Sequence, residues 1–138
     1  MTGPVRLPVS RPVTVVDADA TLAAALAVMD RLGVRHLPVV AAHGSGDARC
    51  VGLLLDRDLV LAVGADPAAA DRPVRVVART VVPRVAAGAP PREVARVMLD
   101  GGLDAALVVA DGELVGIVTA SDALSALAAP GPCDADDR

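Results

Sequence analysis

The stretch VMDRLGVRHLPVV, Val28 to Val40, recurs 69 residues later as VMLDGGLDAALVV, Val97 to Val109. Val-Met, the glycines Gly33 and Gly102, and a closing Val-Val coincide. Self-similarity at a fixed offset marks a duplicated structural unit, so the fold has to be read as two copies of one thing. The same offset lays PVRLPVSRPVTVV (Pro4 to Val16) over PVRVVARTVVPRV (Pro73 to Val85). Further on the offset drops to 64, and VGLLLDRDL (Val51 to Leu59) meets VGIVTASDA (Val115 to Ala123). The first copy carries five more residues between its two valine runs.

Each copy parses into strand, helix, strand, strand, helix. A short Val-rich strand (Val13 to Val16; Val81 to Val85) precedes an amphipathic helix, Thr21 to Leu32 and Pro91 to Asp100, each ending at a glycine suited to a C-cap. Asp19 or Thr21 can cap the first helix, and Pro90 and Pro91 start the second. Two apolar strands follow in each copy, Arg35 to Val40 with Val51 to Leu55, and Ala105 to Val109 with Leu114 to Val118. The Asp-Gly of ADGEL is a hairpin turn signal. A second helix closes each unit, Arg57 to Val63 and Ser121 to Ala128. The expected class is α+β, with two tandem β-α-β-β-α repeats. A unit of roughly 60 residues buries too little surface to stand well alone, so the copies are expected to pack against each other. The predicted boundaries are 1–63 for the first repeat, 64–72 for a linker, 73–128 for the second repeat and 129–138 for a disordered tail.

Composition narrows the function classes. Of 138 residues 54% are hydrophobic, yet stretches free of Asp, Glu and Arg such as Ala123 to Cys133 fall well short of the roughly 18 residues that span a bilayer. Arg6, Arg11 and prolines interrupt the first residues, which therefore do not read as a signal peptide. Two cysteines, Cys50 and Cys133, suggest no structural disulfide. A cytoplasmic location away from membranes is expected. Net charge is −4, with neither lysine nor aromatic residue, which argues against a nucleic-acid partner.

The doubled order of elements, with RHLPVV and GIVTASD at matching places, resembles the cystathionine-beta-synthase (CBS) domain pair, or Bateman module, over Pro4 to Ala128. The resemblance implies a pseudo-two-fold pair with clefts between the repeats and a homodimer. It implies no required cofactor and no catalysis. Its regulatory ligand would be an adenosine-containing small molecule, of the AMP, ADP, ATP, S-adenosylmethionine or NAD type, whose occupancy is signalled to a regulated protein that the sequence does not identify. The family's Gly-x-x-Thr/Ser-x-x-Asp pattern falls on Gly116, Thr119 and Asp122, and on Gly52, Leu55 and Asp58 in the first repeat. The basic residue the family places before the aspartate is Arg57 in the first repeat, whereas the second has Ser121.

The chemistry of the pattern suits a ribonucleotide. A carboxylate accepts both hydroxyls of a ribose diol, and a helix start favours an anion such as phosphate. Thr119, Asp122, Asp58 and Arg57 are therefore the candidate ribose and phosphate ligands. The same Thr-Ala-Ser-Asp is also a capping box, with Thr119 at the N-cap and Asp122 reaching back. In the first repeat Leu55 cannot cap, Asp56 is the better N-cap candidate, and Asp58 nevertheless remains. The Asp122 site is expected to dominate, with the Asp58 site weaker or empty.

By the family pattern the adenine walls would come from Pro12, Val13, Thr80 and Val81 before the first strands, and from His36, Leu37, Pro38, Ala105, Ala106 and Leu107. Plain core is the competing reading for most of them. Aliphatic walls can still hold a purine at about 25 cal/mol per Å² buried, which predicts moderate affinity. His36, His43 and Cys50 match no metal-ligand spacing, and HGSG (His43 to Gly46) lacks the following helix of a phosphate loop. Arg11, Arg35, Arg57 and Arg79 are the available phosphate partners, Arg57 the best placed. A ligand-free dimerisation or interaction scaffold of the same fold is the alternative.

Overall fold

The computed structural model of the chain describes residues 14–42 and 48–128. Pro12, Val13, Arg11, the connection at 43–47 and the tail with Cys133 lie outside the described residues. The order is β1 (Val16–Asp17), α1 (Leu22–Leu32), β2 (His36–Ala42), β3 (Ala48–Leu55), α2 (Asp56–Ala65), then β4 (Arg84–Ala86), α3 (Pro91–Gly101), β5 (Ala105–Ala110), β6 (Glu113–Thr119) and α4 (Ala120–Ala128). Two three-stranded sheets form, β1-β2-β3 and β4-β5-β6, each with a parallel pair followed by an antiparallel hairpin. The α+β doubled architecture is thus observed.

The duplication extends to single positions. Leu22, Ala25 and Met29 bury one face of α1, and their equivalents Pro91, Val94 and Met98 bury the same face of α3. Both hairpins shift register at the same place, between Val39 and Val40 and between Val108 and Val109. Gly33 and Gly102 end the two helices at φ 67° and 68°, the left-handed conformation that glycine adopts at least cost. Thr21, not Asp19, caps α1, its side chain accepting from the Ala24 N–H at 3.1 Å. Asp19 instead pairs with Arg75.

The opening strands are the main departure from expectation. β1 is reduced to Val16–Asp17 among the described residues, because its ladder reaches only Val39 and Val40. β4 starts three residues later than predicted. Pro83 cannot donate, Val81 is exposed, and the sheet is joined only where the Pro83 carbonyl accepts from the Leu107 N–H at 2.9 Å.

Residues 14–82 form one compact unit and residues 83–128 belong to another. Each has its own core. In the first, Leu37, Val39, Leu54 and Leu59 pack with α1; in the second, Ala106, Val108 and Val118 pack with Val94 and Met98 of α3. The expected linker at 64–72 is regular for most of its length, with α2 running to Ala65 and a 3-10 helix over Pro67–Asp71 capped by Asp66. A further 3-10 turn spans Val74–Val76, and Ala69 and Val74 are buried in the first core. Burial of those two side chains explains why the segment to Val82 folds with the first repeat.

Candidate functional site

In each repeat a strand leaves its sheet directly into a helix, where the first backbone N–H groups have no intrahelical partner. One of these is satisfied identically in both. The Ala120 N–H donates to the Asp104 carbonyl at 2.7 Å, and the Asp56 N–H donates to the Arg35 carbonyl at 3.0 Å. The neighbouring side chains then diverge.

At the second junction Thr119 and Asp122 form a closed reciprocal pair. The Thr119 N–H and hydroxyl both donate to Asp122 Oδ2, at 2.9 and 3.0 Å, while the Asp122 N–H donates to Thr119 Oγ1 at 3.3 Å. This is the capping box anticipated above. It orients the carboxylate at the strand end, half-buried, with Ser121 exposed beside it.

The first junction has no side-chain cap. Leu55, extended at φ −109° and ψ 138°, is the N-cap, and Asp56 is the first helical residue. The expectation that Asp56 caps is therefore corrected: its Oδ1 accepts from the adjacent Arg57 N–H at 2.7 Å, a bond to the next residue rather than one turn on. Asp58 does not turn back onto its helix. Its two oxygens accept from Arg79, Oδ2 from Nε at 2.9 Å and Oδ1 from Nη2 at 3.1 Å. Such a fork-to-carboxylate pair is the strongest geometry open to an arginine. The Arg79 hydrogen bonds hold the Asp58 carboxyl below the usual carboxylate range against the opposing effect of burial, and Arg57 adds only a longer-range attraction. Arg57 itself is exposed. The direct partner of Asp58 is thus Arg79, not the arginine next to it in sequence.

Backbone geometry places Arg79 there. Its N–H and carbonyl bond reciprocally with Leu53, both at 2.8 Å. The approach is so close that a Cβ on Gly52 would lie 2.6 Å from the Arg79 carbonyl oxygen. The first glycine of the Gly-x-x-x-x-x-Asp spacing is therefore required for the returning chain to reach the Asp58 helix. The missing hydroxyl at Leu55, beside a retained Asp58, was the one sign in the sequence that this carboxylate needed another partner.

The candidate adenine walls divide by the strand pleat. Leu37 and Ala106 point into the helix-side cores, whereas Pro38, Ala105 and Leu107 are buried outside those clusters. His36 pairs across the hairpin with Leu55, and Ala105 pairs with Thr119, which brings both strand starts beside their junctions. His36 is half-buried, and Thr80 and Val81 are exposed. Among the described residues no group of His, Cys, Asp and Glu could hold a metal ion, and no helix is long and apolar enough to cross a membrane. The Cys50 thiol lies 3.5 Å from the Gly52 carbonyl.

Comparison with known proteins agrees with this architecture. The CBS domain family matches residues 5–65 and again residues 74–129. None of the curated proteins searched matches the chain. Among solved structures, a Vibrio cholerae protein named for acetoin utilization (AcuB) is 30% identical, with a TM-score of 0.73 over 91% of this chain and 90% of that one. The CBS-domain containing protein ATU1752 from Agrobacterium tumefaciens is 24% identical, with a TM-score of 0.74 over 86% of each chain. The CBS domain pair of protein MJ0100, solved in complex with 5′-methylthioadenosine and S-adenosyl-L-methionine, is 24% identical, with a TM-score of 0.74 over 90% of this chain and 96% of that one.

Proposed function

The chain belongs to the CBS domain family, and from that premise we propose that it is a non-catalytic regulatory CBS pair that binds an adenosine-containing ligand and passes occupancy to a partner protein. The observation that carries the reading is the Thr119–Asp122 junction. Both bonds to the carboxylate land on Oδ2, and the group is held at the start of α4. A ribose diol can be accepted by such a carboxylate, while the dipole of α4 favours a phosphate at the same end. The ligands seen on the CBS pair of MJ0100 both contain adenosine, which supports that ligand class here.

Homodimerisation forms part of the proposal. Val60 and Leu61 on α2, and Leu124 and Leu127 on α4, remain exposed, which is apolar surface suited to a second copy. The ligand-free scaffold is favoured by one fact: both motif carboxylates already carry hydrogen bonds from within the chain. Thermal shift and calorimetry with AMP, ADP, ATP, S-adenosylmethionine and NAD separate the two readings. A bound ligand raises apparent stability by mass action. The ligand reading requires a response to at least one compound that Asp122→Ala reduces; an inert panel leaves the scaffold.

A further inference from the structure

The two carboxylates of the motif are not equally available. Asp122 is engaged through one oxygen by a neutral hydroxyl and a backbone N–H. Asp58 is engaged through both oxygens by a guanidinium. A charge-assisted, bidentate pair is stronger than the neutral hydroxyl donors of a ribose, so a diol alone competes with it at a cost. The Arg79 side chain is nonetheless 40% exposed, against 18% for Asp58. Its backbone is fixed by the Leu53 pairing, and Val74 upstream is buried in the core. The guanidinium can therefore swing away without moving the segment that carries it.

Resting on the proposed adenosine-ligand function, we propose that Arg79 is the specificity-determining residue of the first repeat. It disfavours an uncharged nucleoside at Asp58 and yields the carboxylate most readily to a ligand whose phosphate takes the guanidinium in exchange. A phosphate offers Arg79 the same two-pronged recognition as the carboxylate it leaves. The exchange satisfies both partners at once: the diol donates to Asp58 while the phosphate accepts from Arg79. Arg57, exposed one residue away, adds positive charge at the same end of α2. Among the described residues no comparable arginine contact restrains Asp122.

The test uses the full chain in an Asp122→Ala background, which isolates the first repeat, and titrates adenosine and AMP by calorimetry. Removing Arg79 (Arg79→Ala) is expected to tighten adenosine binding by up to about fivefold, equivalent to about 1 kcal/mol, and to erase the preference for AMP. Adding Asp58→Ala should abolish the gain. Adenosine binding left unchanged by Arg79→Ala, or a gain that survives Asp58→Ala, overturns the proposal. The backbone contacts of Arg79 do not involve its side chain, so the variant should fold, and circular dichroism checks that it does. If it does not, Arg79→Lys carries the test, because an ammonium cannot span both oxygens and a smaller gain is still required. Failure of the parent reading is read separately, as unchanged nucleotide binding between the otherwise native chain and Asp122→Ala.

Discussion

In the second repeat Asp122 bonds back to Thr119 within one helical turn; in the first, its counterpart Asp58 is gripped by Arg79, 21 residues downstream. The helix start, the strand end and the bond that the first helical N–H donates to the preceding loop carbonyl are otherwise the same. A local partner needs only the right spacing along one helix. A distant partner needs the chain to return, and here the return is built from a 3-10 helix, two buried aliphatic side chains and the clearance left by Gly52. Loss of a single hydroxyl at Leu55 thus goes with a carboxylate whose availability depends on tertiary structure. The offset of 69 sets Ser10, which lies outside the described residues, against Arg79.

The largest expected break in this comparison lies beneath the junction. Leu59 is fully buried in the first core, and the second repeat has the smaller Ala123 there. Leu59→Ala copies the second repeat into a core that has Ala25 where the other has Val94, so nothing fills the space. A loss of about 2–5 kcal/mol is expected by urea denaturation. A cost well under that range would mean the two cores are interchangeable. Next comes Gly52→Ala, whose Cβ meets a backbone oxygen that cannot rotate aside. Overpacking of that kind costs about 1–3 kcal/mol, and amide exchange should report opening of the Leu53–Arg79 pairing in particular.

Thr119→Ala removes the cap from the second repeat and makes it resemble the first. The expected loss is about 1 kcal/mol, largely restored by Thr119→Ser, as read from the thermal midpoint. The smallest effect belongs to Asp58→Asn, because Arg79 is partly solvated and the pair is correspondingly screened: about 1 kcal/mol or less at neutral pH. Its pH dependence is the sharper readout. The folded carboxyl is held below its unfolded value near 4, so its stabilisation is present above that pH and is lost as pH falls through the folded value. The stability gap between native chain and variant should therefore be full at pH 7 and close on acidification below about pH 4. A gap independent of pH would show that the pair contributes no charge-dependent stability.

Much of this was legible from local pattern. Periodic apolar residues located α1 and α3, glycines fixed their ends, and Asp-Gly fixed the β5–β6 turn, where Asp111 and Gly112 take φ 52° and 79°. The capping box at Thr119 followed from three-residue spacing alone. Contacts between residues remote in sequence were not legible. Arg57 stands directly before Asp58 and is the phosphate partner that local position suggests, whereas the Asp58–Arg79 pair spans 21 residues and has no local signal. Residue type favours Asp56 as the cap, yet its N–H donates to the Arg35 carbonyl and Leu55 takes the N-cap position. The adenine-wall candidates divide by the pleat, which sets Leu37 and Ala106 in the helix-side cores.

The sequence by itself determined the duplication, the element order and the Thr119–Asp122 cap, because periodicity, turn chemistry and capping act within a few residues. Only the tertiary structure decided that the segment to Val82 packs with the first repeat and that Asp58 is held by Arg79. Both depend on which surfaces the buried Ala69 and Val74 find, and on the gap at Gly52 that admits the Arg79 backbone.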